Sequence, residues 1–168
     1  MDPTIRQARD EDLPTLIDRL GQRFYFTERL RRQRQDRGRL FIALVDGRPA
    51  GDIYVSLEPA DEPELRLHLR AVPLLQHLEV RDGLRNRGIG TRLITAAETF
   101  LKGLDFKQVA LGVALDNHDA IRLYQQLDYR EWIHSPTTTF REHFDSDGNV
   151  SRQQEQCRIF VKQLPQIE

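Results

Sequence analysis

Residues 85 to 91, Arg-Asn-Arg-Gly-Ile-Gly-Thr, place two glycines one residue apart beside two arginines, at the join between two apolar segments. That composition suits a phosphate group. A helix N-terminus exposes about four backbone N–H groups without intrahelical partners, together carrying roughly half a positive charge, and both features favour phosphate oxygens. Gly88 and Gly90 lack the Cβ atoms that would hold a ligand away from those amides, and Arg85, Arg87 and Arg92 supply full charges nearby. Two familiar diphosphate patterns fail on spacing. A dinucleotide fingerprint G-x-G-x-x-G begun at Gly88 needs glycine where Leu93 stands, and the Gly-Lys-Ser/Thr of a P-loop occurs nowhere. A plainer reading stays open on these residues alone: the glycines simply let a helix pack tightly on a strand.

The flanking periodicities set the turn between a strand and a helix. Pro73 to Val80 reads as a strand, and Ile89, Leu93, Ala96, Ala97 and Phe100 recur at helical spacing after it. Upstream, Ile5 to Ala8 predicts a short strand. Asp12 as cap, Pro14 in the first turn and Leu13, Leu16, Ile17 and Leu20 predict a helix. An arginine-dense helix is expected over about Phe24 to Arg37, then a hairpin turning at Asp46-Gly47. A polar loop, Glu58 to Glu64, leads into a segment of no clear period. Downstream, Lys107 to Val113 predicts a buried strand. Ala120, Ile121, Tyr124 and Leu127 share one face of a helix that Asp116 or Asn117 would cap. The tail predicts an extended run from about Tyr129 to Phe140, a turn at residues 146–149, and a last strand from Cys157 to Leu164. No linker or repeat divides the chain, so residues 1–168 are expected to form one α/β domain around a single mixed sheet.

Composition removes several functional classes. Lys plus Arg (25) against Asp plus Glu (26) leaves no bulk charge for nucleic acid or an anionic membrane, and no apolar run approaches a membrane span. The lone Cys157 forms no intrachain disulfide and the charged start fits no signal peptide, so a cytoplasmic location is expected. No metal is expected either. Asp145-Ser146-Asp147-Gly148-Asn149 resembles the start of a calcium loop, but its glycine stands fourth and no glutamate stands twelfth. The arginine-rich stretch from Glu28 to Arg39 reads as a solvated helix face, and the acidic loop of Glu58, Asp61, Glu62 and Glu64 as solvated surface.

Arg85-x-x-Gly88-x-Gly90 matches the (Gln/Arg)-x-x-Gly-x-(Gly/Ala) signature of the GNAT acetyltransferase superfamily. The preceding strand His77-Leu78-Glu79-Val80, the spacing to Leu111–Asn117 and the helix Ala120–Tyr129 resemble the corresponding segments in order and distance. One departure is Leu127-Asp128-Tyr129, where the family usually has Leu-Gly-Phe/Tyr; Asp128 must then take the helix-ending conformation that glycine accepts more easily. The resemblance implies a mostly antiparallel twisted sheet with a central, splayed parallel strand pair and helices on both faces. It also implies acetyl-CoA as cosubstrate, its pyrophosphate on the turn formed by Arg85, Asn86, Arg87, Gly88, Ile89, Gly90 and Thr91.

Acetyl transfer from a thioester to an amine needs a neutral nucleophile, an oxyanion stabiliser and a proton for the departing thiolate. By resemblance, the amides of Leu78 and Val80 bind the acetyl carbonyl and the pantetheine arm, Asn117 bonds that arm, and the Tyr124 hydroxyl protonates the sulfur. Tyr124 on an apolar helix face also reads as a core residue, and Asn117 as a cap. An alkyl ammonium has a pKa near about 10.4, so a base is required at pH 7. The glutamate some members carry early on the strand is replaced here by Leu74; Glu79 and His77, two apart on one face of a regular strand, are the candidates. The expected reaction is direct attack by a primary amine, small-molecule or peptide, within a ternary complex. The rival is an acyl-CoA-binding module without turnover. The acceptor's identity and homodimerisation are left open.

Overall fold

The structure, a computed structural model, describes residues 2–166. In chain order the elements are β1 (Thr4–Gln7), α1 (Leu13–Leu20), α2 (Arg23–Arg34), β2 (Gly38–Val45), β3 (Arg48–Ser56), α3 (Pro63–His68), β4 (Leu74–Val80), α4 (Ile89–Gly103), β5 (Gln108–Ala114), α5 (His118–Gln126), β6 (Arg130–Glu131), β7 (Thr137–Phe144) and β8 (Val150–Gln163). The eight strands form one sheet in the order β1-β2-β3-β4-β5-β8-β6, with β7 also on β8. Every pairing is antiparallel except β4 with β5. A parallel neighbour needs a crossover connection, and α4 supplies it.

Alternation along the strands divides the apolar residues between the two faces. Phe41, Ala43, Ile53, Val55 and Leu75 meet Ile89, Leu93, Ala97 and Leu101 of α4 and Ile121 and Tyr124 of α5. Leu40, Ile42 and Tyr54 point the other way, onto Leu16 of α1 and Tyr25, Phe26 and Leu30 of α2. The sheet is thus sandwiched. β8 is longer than its sequence suggests. Its second half pairs with β5, while its first half pairs with β7 in a hairpin whose turn, at Gly148, lies against the Phe24 ring of α2.

Several local expectations are corrected. The arginine-dense helix stops at Arg34, where Asp36 takes a positive φ of 56°. The segment without a clear period contains α3, begun by Pro63. Asp12 stands at the N-cap of α1 as expected, but its side chain makes no capping bond to that helix: its carboxylate turns back to Arg6 and to the Arg9 amide at 2.7 Å. The Tyr129–Phe140 run is broken by a turn between β6 and β7. Asp128 does take the left-handed conformation, with φ at 70°, and the Tyr129 amide reaches back to the Tyr124 carbonyl at 3.0 Å, closing α5 as glycine commonly does. A side chain costs energy there. Asp128→Gly should therefore raise stability by up to about 1 kcal/mol, read from chemical denaturation; a loss of stability would show that the Asp128 side chain holds the turn.

Candidate functional site

The parallel pair does not run its full length. β4 and β5 are in register only at Leu74 with Ala110 and Leu75 with Leu111, after which the two strands separate. Near the end of β4 the Arg81 amide donates to Ala50 of β3 at 2.8 Å. Because successive amides alternate sides, those of Leu78 and Val80 face away from β3, toward the gap beside Gly112–Ala114. Two backbone donors thus line an opening that β5 no longer fills.

A β-bulge shapes the same strand. Between the pairs Asp52–Glu79 and Tyr54–Gln76, β4 carries one residue more than β3, and His77 absorbs it with φ at 59°. A left-handed backbone at a histidine is uncommon and stores strain of order 1–3 kcal/mol. The bulge aims His77 toward α2. Its Nδ1 lies 3.1 Å from the Asp52 carboxylate and its Nε2 2.8 Å from Gln22 Oε1 and 3.4 Å from Glu79. The ring stacks on Tyr25 at 3.8 Å between centroids, and the Tyr25 hydroxyl donates to the same Asp52 oxygen at 3.0 Å. Asp52 is 1% exposed. Burial pushes its carboxyl above the ordinary range, and the His77 and Tyr25 hydrogen bonds pull it back. A carboxylate on Nδ1 holds a proton there, while Nε2 faces two acceptors, Gln22 Oε1 and Glu79, so Nε2 can serve as an acceptor only once the Gln22 amide turns or moves aside.

A cleft of about 910 Å³ runs through the gap, lined by His77, Leu78, Glu79, Asn117 and Tyr124. Tyr124 projects from α5 with its ring edge-on to Tyr129 at 5.8 Å. Tyr129 is anchored in turn by its hydroxyl on the buried Glu98 carboxylate at 2.7 Å, which also takes Lys162 at 3.0 Å. Burial pushes the Tyr124 phenol up to about 12, so it keeps its proton at neutral pH. Asn117 caps α5, accepting from the Ala120 amide at 3.2 Å, while lining the cleft. The cap expected of Asn117 is thus present.

The glycine turn lies directly beyond β4. The amides of Gly88, Ile89, Gly90 and Thr91, at the N-cap and first turn of α4, have no intrahelical acceptor and form the donor row that an anion would need. Gly88 is the N-cap of α4 with φ at 80°, a left-handed position, and Asn86 is another with φ at 61°. A Cβ on Gly88 would meet nothing within 4 Å, and one on Gly90 only ordinary contacts with Leu123 and Leu78 at 3.7 and 3.8 Å. Tight packing therefore accounts for neither glycine. Arg85 bends away, its Nε on the Val80 carbonyl at 3.3 Å and its Nη2 at 3.2 Å from Asp82. With Val80 it lines a separate depression of about 210 Å³ beside Asp52 and Glu79.

Three features of the site escape the sequence reading. Asp52 stands in an apolar strand run whose lone acid is the signal that could have marked it. The arginine-rich helix is not wholly solvated: Arg29 and Leu30 are buried and Arg29 lines the cleft. Nor is the acidic loop plain surface, since Glu58, Asp61 and Glu62 border the cleft and Glu62 is buried.

Comparison with known proteins places this geometry. The model of the Acetyltransferase (GNAT) family matches residues 4–129. An uncharacterized N-acetyltransferase of Methanocaldococcus jannaschii is 30% identical over 109 residues, 65% of this chain; the match spans 45% of that protein's length. Among solved structures, the ribosomal-protein-S18-alanine N-acetyltransferase of Escherichia coli superposes with a TM-score of 0.67 at 18% identity, covering 99% of this chain and 97% of that one. The PaiA N-acetyltransferase of Thermoplasma acidophilum, in complex with coenzyme A, gives 0.65 at 16% identity, covering 97% and 99%. A GNAT family acetyltransferase of Elizabethkingia anophelis with acetyl-CoA bound gives 0.61 at 15% identity, covering 96% and 98%.

Proposed function

The chain belongs to the acetyltransferase (GNAT) family, and from that premise we propose that it transfers an acetyl group from acetyl-CoA to a primary amine by direct attack in a ternary complex. The separation of β4 from β5 carries the reading, because it turns the Leu78 and Val80 amides toward the gap and opens a cleft, lined by Leu78, that also holds a protonated phenol and an oriented imidazole.

Acetyl-CoA supplies an activated acyl group and a thiolate leaving group. The amides of Arg85, Asn86, Arg87, Gly88, Ile89, Gly90 and Thr91 hold the pyrophosphate, and the left-handed Gly88 lets it approach. The Leu78 and Val80 amides hold the acetyl carbonyl oxygen and the pantetheine arm, with Asn117 beside them. His77, its Nδ1 proton held by Asp52, takes a proton from the incoming ammonium at Nε2 after the amine displaces Gln22 Oε1 from that nitrogen. Glu79 and Gln22, which already share Nε2, lie where the amine must arrive, so Glu79 draws the cation toward His77. Tyr124 gives its proton to the departing sulfur. No covalent enzyme intermediate is involved. A nearly neutral surface supports a diffusible or peptide acceptor over nucleic acid.

The cosubstrate is tested by thermal unfolding. Acetyl-CoA or CoA at about 100 times its dissociation constant stabilises the native state by about 2.7 kcal/mol through mass action, and NAD or ATP at equal concentration does far less. Equal shifts from NAD or ATP would remove acetyl-CoA from the proposal. Gly88→Val forces a β-branched residue into a left-handed position, so the CoA dissociation constant should rise at least about tenfold, measured by calorimetry. An unchanged constant would move the pyrophosphate elsewhere.

A further inference from the structure

Beyond Tyr25 the cleft wall holds a charge that acetyl transfer does not use. Arg29, one helical turn along α2, lines the cleft although it is 6% exposed. Its guanidinium lies 4.8 Å from the Tyr25 ring centre and 5.0 Å from that of Tyr54. Among the described residues its hydrogen bonding amounts to Nη1 on Glu142 at 3.5 Å, the outer limit of a hydrogen bond, while Nε is buried without a partner. The nearby Tyr54 hydroxyl is buried unpartnered too.

Glu142 does not belong to Arg29 alone, since Arg32 Nη2 donates to both its oxygens at 3.0 and 3.2 Å. Glu28, the next carboxylate, is divided between Arg31 and Arg32. Two carboxylates therefore serve three guanidiniums, and Arg29, the buried one of the three, has the weaker hold, 3.5 Å from Glu142 where Arg32 lies at 3.0 Å. Among the described residues no other carboxylate lining the cleft forms an ion pair with Arg29. Glu58 pairs with Arg37, Asp61 with Arg152 and Glu155 with Arg141, and Glu79 lies beside His77. A buried cation with most of its donors unused is costly unless a partner arrives.

We propose that the acceptor amine carries an oxyanion, a carboxylate or phosphate, which seats on the Arg29 guanidinium while its amino group reaches His77. The Tyr25 ring is common to both ends, since Arg29 lies over it, His77 stacks on it and all three line one cleft. A short amino acid or aminoalkyl phosphate carries both groups in one small molecule. A planar guanidinium recognises either oxyanion with two parallel hydrogen bonds. This inference rests on the acetyl-transfer reading and names the substrate class for that site.

The test titrates the CoA-loaded protein with glycine, a panel of other α-amino acids, β-alanine and O-phosphoethanolamine, each against its amide or its dephosphorylated counterpart, and follows thermal stability. At least one oxyanion-bearing amine should bind about 10²-fold more tightly than its counterpart, and the carboxylate and phosphate arms identify the group preferred. Arg29→Met should abolish that preference and Arg29→Lys keep part of it, with far-UV circular dichroism and the CoA shift reporting that both are folded. Equal or better binding of the amides and neutral amines, no shift from any oxyanion amine, or a preference unchanged in Arg29→Met would each overturn the proposal. The CoA shift of the parent separates the two ideas. Its presence keeps the acetyl-transfer reading when the oxyanion preference fails, and its absence removes both.

Discussion

His77→Asn should lower kcat/KM for acetyl transfer by about 10²–10⁴-fold, the range of a lost general base, while the thermal shift by acetyl-CoA persists. Asparagine is the appropriate replacement because it tolerates the left-handed backbone that His77 occupies, so the bulge survives. Parent and variant are compared through their kcat/KM over one pH range, so that a loss at every pH is told from a change of profile. Asp52→Asn leaves the ring in place but no longer fixes its tautomer; it should lower kcat without altering CoA affinity. Glu79→Gln should retain most of kcat and raise KM for the amine. Should Glu79→Gln lose the rate and His77→Asn keep the parent profile, the base is Glu79.

The second large effect belongs to Tyr124. Tyr124→Phe keeps the edge-to-face contact with Tyr129, and its hydroxyl makes no hydrogen bond among the described residues, so folding and acetyl-CoA affinity should be unchanged. The missing proton should lower kcat by about 10²-fold. The phenol is pushed up to about 12 by burial, and an acid is active while protonated, so its loss on the alkaline side should begin only near that value. A kcat equal to the parent's, measured by single turnover, would assign the proton to water.

These residues were unequally legible in the sequence. The strand–turn–helix from Leu74 to Gly103 could be read directly, because apolar periods of two and 3.6 meet at glycines and both patterns are local. The helix with Tyr124 was legible for the same reason. The bulge was not: it inserts a residue whose only mark is a histidine, and its register depends on β3, some 25 positions away in the chain. Asp52 is an acid in an apolar run until the Tyr25 hydroxyl and the His77 ring arrive from two other elements. Arg29 was hidden by its neighbours. A run of arginines reads as solvated, and only the β7–β8 hairpin, reaching α2 through Glu142 and Gly148, covers one side of that helix and turns its face into a wall of the cleft.

The central claim is that the opening between β4 and β5 is a place of acetyl transfer and not only of acyl-CoA binding. Thiol release measures this directly: the parent protein is mixed with acetyl-CoA and a broad panel of amines, and free CoA is titrated while mass spectrometry follows the amines. At least one amine should drive thiol release above the amine-free rate, with one acetylated amine formed per thiol and no acetyl group retained on the protein. If acetyl-CoA stabilises the protein yet no amine in the panel raises thiol release above that rate, acetyl transfer at this opening is refuted and the cleft is a binding site without turnover.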